Sequence, residues 1–125
     1  MAKIYTRKGD DGTTGLFDGT RVGKDDVRVD ATGDVDETNA AIGAARAFVQ
    51  DKDLDALLMS IQSDLFAVGA QLADPKYATR KAKAKTQISG EKITSFEKVM
   101  DRYEGELPPL KGFILPCGTP SGLPI

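Results

Sequence analysis

The run DKDLDALLMSIQSDLFAVGAQLADP, residues 51–75, decides the fold. Its apolar residues Leu54, Leu57, Leu58, Ile61, Leu65, Val68 and Leu72 recur at the three-and-four spacing of one helix face. Good helix formers fill the positions between them, and Asp74-Pro75 ends the run because proline supplies no backbone N–H. A stripe this regular is expected to be core.

The same period appears on either side. Upstream, Ala31, Val35, Thr38, Ile42, Ala45 and Val49 place a helix at about 26–49, with Asp25 and Asp26 suited to capping its positive end. Gly33 and Gly43 lie inside it, each unfavourable by about 1 kcal/mol relative to alanine. Close packing or a ligand is expected at both. Downstream, Ser89 is a candidate N-cap with Glu91 in the first turn. Ile93, Phe96, Met100, Tyr103 and Leu107 form the stripe of a third helix, stopped by Pro108-Pro109. The expectation is an all-α helical bundle in one domain spanning 1–125, entered through a loop at 1–24.

Between the second and third helices, KYATRKAKAKTQ (76–87) crowds Arg80, Lys81, Lys83 and Lys85 together with Tyr77 as the only aromatic residue. It reads as a solvated linker rather than a nucleic-acid patch. After the third helix comes LKGFILPCGTPSGLPI, a short apolar FIL segment followed by turn residues.

Composition excludes several functions. A net charge of −2 lacks the basic footprint of a nucleic-acid-binding domain. No apolar run is expected to approach the length of a membrane span, and Met1-Ala2-Lys3 leads into polar sequence rather than a signal segment. The expected location is the cytoplasm, with no nucleic-acid or membrane partner. The chain has no histidine and one cysteine, Cys117, which excludes Ser-His-Asp and Cys-His catalysis, histidine-ligated zinc and an internal disulfide. Cys117 itself reads as a small turn residue rather than a nucleophile. Chemistry is left to carboxylates, lysine, arginine, hydroxyls, backbone groups or a bound cofactor.

The stretch IYTRKGDDGTTGLFDGTRVGK, residues 4–24, is the other unusual part of the chain. It holds five glycines, four threonines, two arginines and two lysines. Glycines let a backbone come close to a ligand with its N–H groups free, threonine hydroxyls donate to phosphate oxygens, and Arg7, Lys8 and Lys24 add positive charge. By composition it is either a polyphosphate wrap feeding the first helix or a flexible N-terminal tail. It is not a Walker A loop: the nearest match, Gly19 to Lys24, is one spacer short and is followed by Asp25.

Three acidic clusters, Asp10-Asp11-Gly12, Asp30 to Glu37, and Asp51-Asp53-Asp55, lack the ligand order of a calcium loop and read as helix caps and solvated faces. Asp36 stands apart because GDVDETN sets it between two glycines on a packing helix. A carboxylate buried there wants a cationic partner.

Taken together, YTRKGDDGTTGLF (5–17), RVGKDD (21–26), GDVDETNAAIGAARA (33–47), IQSDLFAVGAQLADP (61–75) and FILPCGTP (113–120) resemble the PduO-type ATP:cob(I)alamin adenosyltransferases. The segments run in that family's order and cover nearly the whole chain. The resemblance implies a five-helix bundle assembled as a homotrimer with active sites between subunits. It also implies transfer of the 5′-deoxyadenosyl group of ATP to the cobalt of cob(I)alamin, with release of triphosphate and help from Mg2+. By motif position, Thr6, Arg7, Lys8, Gly9, Thr14, Gly15 and Lys24 would bind ATP. Asp36 would be the catalytic acidic residue that pairs with an arginine across the subunit contact, and Phe113 would face the corrin. No residue is implied as a direct metal ligand.

Such chemistry suits a chain without histidine. Cob(I)alamin is itself a strong nucleophile, so the protein needs to position the ribose carbon, neutralise the leaving triphosphate and exclude water. Thr38, Thr32 and Cys117 stand where the family usually has leucine, tyrosine and glycine. After Pro120 the family continues into two further helices, whereas this chain reads SGLPI. The expectation is therefore a C-terminally short chain with an exposed apolar face and impaired turnover. The alternative function is that of a nucleotide- or corrinoid-binding remnant or assembly subunit.

Overall fold

The computed structural model describes residues 3–79 and 88–114. Two short strands, β1 (Thr13–Gly15) and β2 (Arg21–Gly23), precede three helices: α1 (Val27–Arg46), α2 (Lys52–Ala73) and α3 (Gly90–Glu104). A single 3-10 turn, Tyr77–Thr79, follows α2. The helical class is the expected one.

Each helix begins where its capping chemistry places it. Asp26 accepts a hydrogen bond from the Arg28 N–H at 2.8 Å. Asp51 accepts from the N–H groups of Asp53 and Leu54 at 2.8 and 2.9 Å, and Ser89 accepts from that of Lys92 at 3.2 Å. These bonds satisfy amides that have no partner inside the helix.

The ends differ from expectation by a turn. α1 stops at Arg46 rather than near 49, because the N–H groups of Ala47, Phe48 and Val49 bond the carbonyls three residues back, a tightened last turn. α3 stops at Glu104, with Gly105 as its C-cap. Leu107, expected on the α3 stripe, lies beyond the helix in a turn and is half-exposed.

α1 and α2 form the main packed pair. All seven stripe residues of α2 are partly covered, as are Ala31, Val35, Ile42, Ala45 and Val49 of α1, while Thr38 is exposed. The α2 stripe, expected to be core, is only partly covered: among the described residues no apolar side chain is fully buried. Two packed helices cover only one side of each stripe, so the apolar surface expected to be exposed is seen at Met59, Phe66, Ile93 and Met100. Thr32 and Thr38 satisfy their hydroxyls by donating to the Arg28 and Asp34 carbonyls four residues back, both at 2.8 Å.

A polar seam fixes the register of the α1–α2 pair. Arg46 grips Asp55 through two nitrogens, at 2.7 and 3.1 Å, and donates to Gln62 Oε1 at 2.8 Å. Gln62 in turn donates to the Asn39 carbonyl at 2.9 Å, and Asn39 Nδ2 donates to the Gln62 carbonyl at 3.3 Å. The two-pronged contact holds the Arg46 guanidinium above and the Asp55 carboxyl below their ordinary pKa values. α3 meets α2 through Lys92, whose ammonium donates to Ser60 Oγ at 2.6 Å and lies 3.1 Å from Asp64.

α2 is also long and apolar enough, by length and composition alone, to cross a membrane, contrary to the expectation that no apolar run approaches that length. Ala56, Met59, Phe66, Ala67, Ala70 and Ala73, off the stripe, raise its mean hydropathy. Here its polar groups Asp55, Gln62 and Asp64 are engaged by α1 and α3. The basic linker from Arg80 to Gln87, and the Leu115–Pro120 part of the FILPCGTP segment with Cys117, lie outside the described residues.

Candidate nucleotide loop

The stretch expected to be loop is a small hairpin. Thr13 pairs with Gly23, Thr14 with Val22 and Gly15 with Arg21 in antiparallel register. The connection turns at Asp18-Gly19, where Gly19 adopts a φ of +86° that glycine reaches without strain. The Gly19 N–H donates to the Leu16 carbonyl at 3.0 Å, and the Leu16 N–H to the Thr20 carbonyl at 2.8 Å. Asp-Gly between two short runs is a hairpin signal that the sequence carried, and it was masked by the glycine-rich surroundings.

Arg21 organises what precedes the hairpin. One of its terminal nitrogens donates to the Lys8 carbonyl at 2.5 Å, to Asp11 Oδ1 at 3.3 Å, and to the Thr13 hydroxyl. Asp11 also accepts from the Thr13 N–H and hydroxyl at 3.0 and 2.8 Å, and these bonds, with the Arg21 charge, lower its pKa. In the sequence Arg21 stands out only as one of the two arginines of the loop and the first residue of RVGKDD. Its spacing of 13, 10 and 8 residues from its three acceptors leaves no short-range signal.

The proposed ATP-binding residues gather in part. A Cβ at Gly9 would stand 2.9 Å from the Thr13 carbonyl oxygen and 3.3 Å from Lys24 Cε, so Lys24 lies folded against the Gly9 backbone. The Lys24 N–H donates to the Gly12 carbonyl at 2.9 Å, which closes the base of the hairpin. Thr6 Oγ1 accepts from the Lys8 N–H at 3.4 Å. Arg7, in a left-handed conformation with φ 58°, turns its guanidinium to 5.2 Å from the Tyr5 ring centre, with the Lys3 ammonium at 5.5 Å. Thr14 and Gly15 lie in β1. Among the described residues none of Arg7, Lys8 and Lys24 is in an ion pair.

The hairpin tip is fastened to the end of α2. The Phe17 N–H donates to the Ala73 carbonyl at 2.9 Å, and the Lys76 ammonium lies 3.1 Å from Asp18. Asp18 also accepts from the Thr20 N–H at 3.0 Å. Hydrogen bonds from Thr20, and then from Lys76, pull its pKa down to about 2.

Asp36 and Phe113 stand apart from this cluster. Asp36, on α1, is exposed, 4.0 Å from where a Cβ on Gly69 would lie, and has no ion pair among the described residues. Exposure removes the desolvation that would demand a cation within the chain. Phe113 is fully exposed beyond α3. Of the arginines distant from the loop, Arg102 is engaged locally by Glu106 at 3.7 Å and by the Tyr103 ring, and Arg80 is outside the described residues.

Comparison with known proteins places this geometry in a family. A corrinoid adenosyltransferase of Mycobacterium tuberculosis is 46% identical over 121 residues, covering 96% of this chain and 62% of that protein. One from Citrobacter freundii is 44% identical, covering 93% of this chain and 65% of that protein. Among solved structures, a phenylalanine-to-alanine variant of a PduO-type ATP:corrinoid adenosyltransferase from Lactobacillus reuteri, complexed with cobalamin and ATP, superposes with a TM-score of 0.79. It is 34% identical, over 94% of this chain and 65% of that one. The chain thus spans slightly less than two thirds of the length of these relatives. The family profile for cobalamin adenosyltransferase matches residues 4–123, nearly every residue present, and the chain belongs to the cobalamin adenosyltransferase family.

Proposed function

We propose that this chain binds ATP through its N-terminal hairpin loop and takes part in transfer of the 5′-deoxyadenosyl group to cob(I)alamin. In that reaction the cobalt attacks the ribose C5′, the C5′–O bond breaks, a cobalt–carbon bond forms and triphosphate leaves. The observation that carries the reading is the loop itself: Lys24 folded on Gly9, with Arg7 and Lys8 nearby, all without ion-pair partners among the described residues. Arg21 fixes the backbone beneath them. Unpaired cations on an ordered, glycine-rich backbone suit a leaving polyphosphate. The relatives named for this activity, and the one complexed with cobalamin and ATP, support it.

Thr6, Arg7, Lys8, Gly9, Thr14, Gly15 and Lys24 are the proposed ATP-binding set, with Asp36 as the acidic catalytic residue and Phe113 facing the corrin. Among the described residues no three carboxylates, histidines or cysteines gather to hold a metal. A magnesium ion would therefore arrive on the nucleotide, held by phosphates and water, and offset their charge. A cytoplasmic homotrimer, in which a partner supplies the cation for Asp36, completes the proposal. Exposure of Asp36 favours a second reading, binding without turnover by the isolated chain.

Turnover separates the two readings. The purified chain, given ATP, magnesium and chemically reduced cob(I)alamin, is followed by the corrinoid visible spectrum against a control without ATP. Adenosylcobalamin above background establishes the enzyme. ATP binding without product leaves the binding role, and absence of both overturns the proposal.

A further inference from the structure

Among the described residues, the hairpin tip is bonded to the end of α2 where Phe17 and Asp18 meet Ala73 and Lys76. Among the described residues, β1 and β2 contact each other more than they contact any helix. Asp18 is the most covered carboxylate in any ion pair of the described residues, with 9% of its side chain exposed. Its partner sits just past the last turn of α2, beyond the proline that fixes the helix end.

We propose that Asp18 and Lys76 form a positioning latch that holds the nucleotide loop at the end of α2, so that its cations are set for triphosphate before ATP arrives. The inference rests on the nucleotide reading above and adds to it two residues with no contact to the ligand. The mechanics follow from the bonding chain. Lys76 holds Asp18; Asp18 caps Thr20; Thr20 is bonded to Leu16 and adjoins Arg21; Arg21 grips the Lys8 carbonyl and Thr13. Releasing the tip lets the whole unit pivot about its junction with α1. ATP must then order it on binding, which weakens affinity without changing the chemical step.

The test uses the full chain with Lys76→Met, which keeps the aliphatic stem, Asp18→Asn, which keeps an oxygen for Thr20, and Lys76→Arg as the conservative replacement. Expected are an ATP dissociation constant raised about three- to fivefold by Lys76→Met and by Asp18→Asn, the range of a weak ion pair. The double variant should be no worse than either single one, and Lys76→Arg should restore affinity. Where the chain turns over, KM for ATP rises while kcat and KM for cobalamin stay put. Amide exchange at Phe17 should quicken by a similar factor in the two charge-removing variants. Unchanged ATP affinity in variants of a chain that binds ATP overturns the latch alone. If the wild-type chain binds no ATP, the nucleotide reading fails instead, and unchanged Phe17 exchange then removes the latch as well.

Discussion

Gln62 on α2 lies so close to Gly43 on α1 that a methyl group at position 43 would come within 3.1 Å of its Nε2. Gln62 cannot easily retreat, because it donates to the Asn39 carbonyl and accepts from Arg46. The two helices are therefore as near as their polar seam permits.

Gly33 and Gly43 should respond oppositely to alanine. Nothing lies within 4 Å of a Cβ at Gly33, so Gly33→Ala should stabilise the chain by about 1 kcal/mol through helix propensity alone. Gly43→Ala gains the same but meets Gln62, and overpacking of this kind costs about 1–3 kcal/mol. It should melt below the wild type. A Gly43→Ala variant that melts above it would show that Gln62 moves freely.

Acid should loosen the fold in a defined window. Asp11, Asp18 and Asp55 all have pKa values below the ordinary 3.8, Asp18 at about 2. The folded state thus binds fewer protons than the unfolded one, and stability falls as pH falls. The contribution of Asp18 is complete above 3.8 and disappears as pH drops through about 2. Urea midpoints measured across that interval should decline less steeply in Asp18→Asn and Asp55→Asn. Slopes equal to wild type would place the acid sensitivity elsewhere.

Charge and space at Gly9 can be separated. Lys24→Met should weaken ATP binding by about 10- to 100-fold, the span of one hydrogen bond to a charged group, with little effect on Tm. Gly9→Ala should weaken it as well, since its Cβ would strike the Thr13 carbonyl and push Lys24 aside. Calorimetric titration with ATP reads both. Normal affinity in Gly9→Ala would mean that Lys24 does not act from this position.

Arg21→Ala should free the segment before the hairpin, because it removes donors to Lys8, Asp11 and Thr13 together. Limited trypsin digestion, read as cleavage after Lys8, should accelerate several-fold relative to wild type. Arg21→Lys should fall between, since the shorter, compact ammonium keeps the charge but not the reach and fixed direction of the guanidinium nitrogen. Unaltered cleavage in both would assign the ordering of this segment to its backbone turns.

Much of this architecture was legible in the sequence because its causes are local. The α2 stripe, the Ser89 cap and the Asp26 cap each depend on residues within one or two turns, and each stands where it was read. The composition of residues 4–24 suggested phosphate, and that reading stands as the proposal. What escaped depends on distant partners. Arg21 meets Lys8 across 13 residues, and Arg46 joins Asp55 and Gln62 on another helix. The depth of burial escaped too, since periodicity says which face is apolar but not what covers it. Leu107 was assigned to α3 because Pro108-Pro109 looked like the stop, whereas Gly105 had already ended the helix.

The bond from Phe17 to Ala73 sets an order of events in folding. A hairpin of this size closes in about 1–10 μs from neighbouring residues alone. Its docking must await the last turn of α2, because the closing contact encloses all of α1 and α2 between its ends. The segment nearest the N-terminus is thus made early and seated last. In refolding followed by stopped flow, helical signal should recover before the capacity to bind a fluorescent ATP analogue, and the lag between the two is the time taken to seat the hairpin.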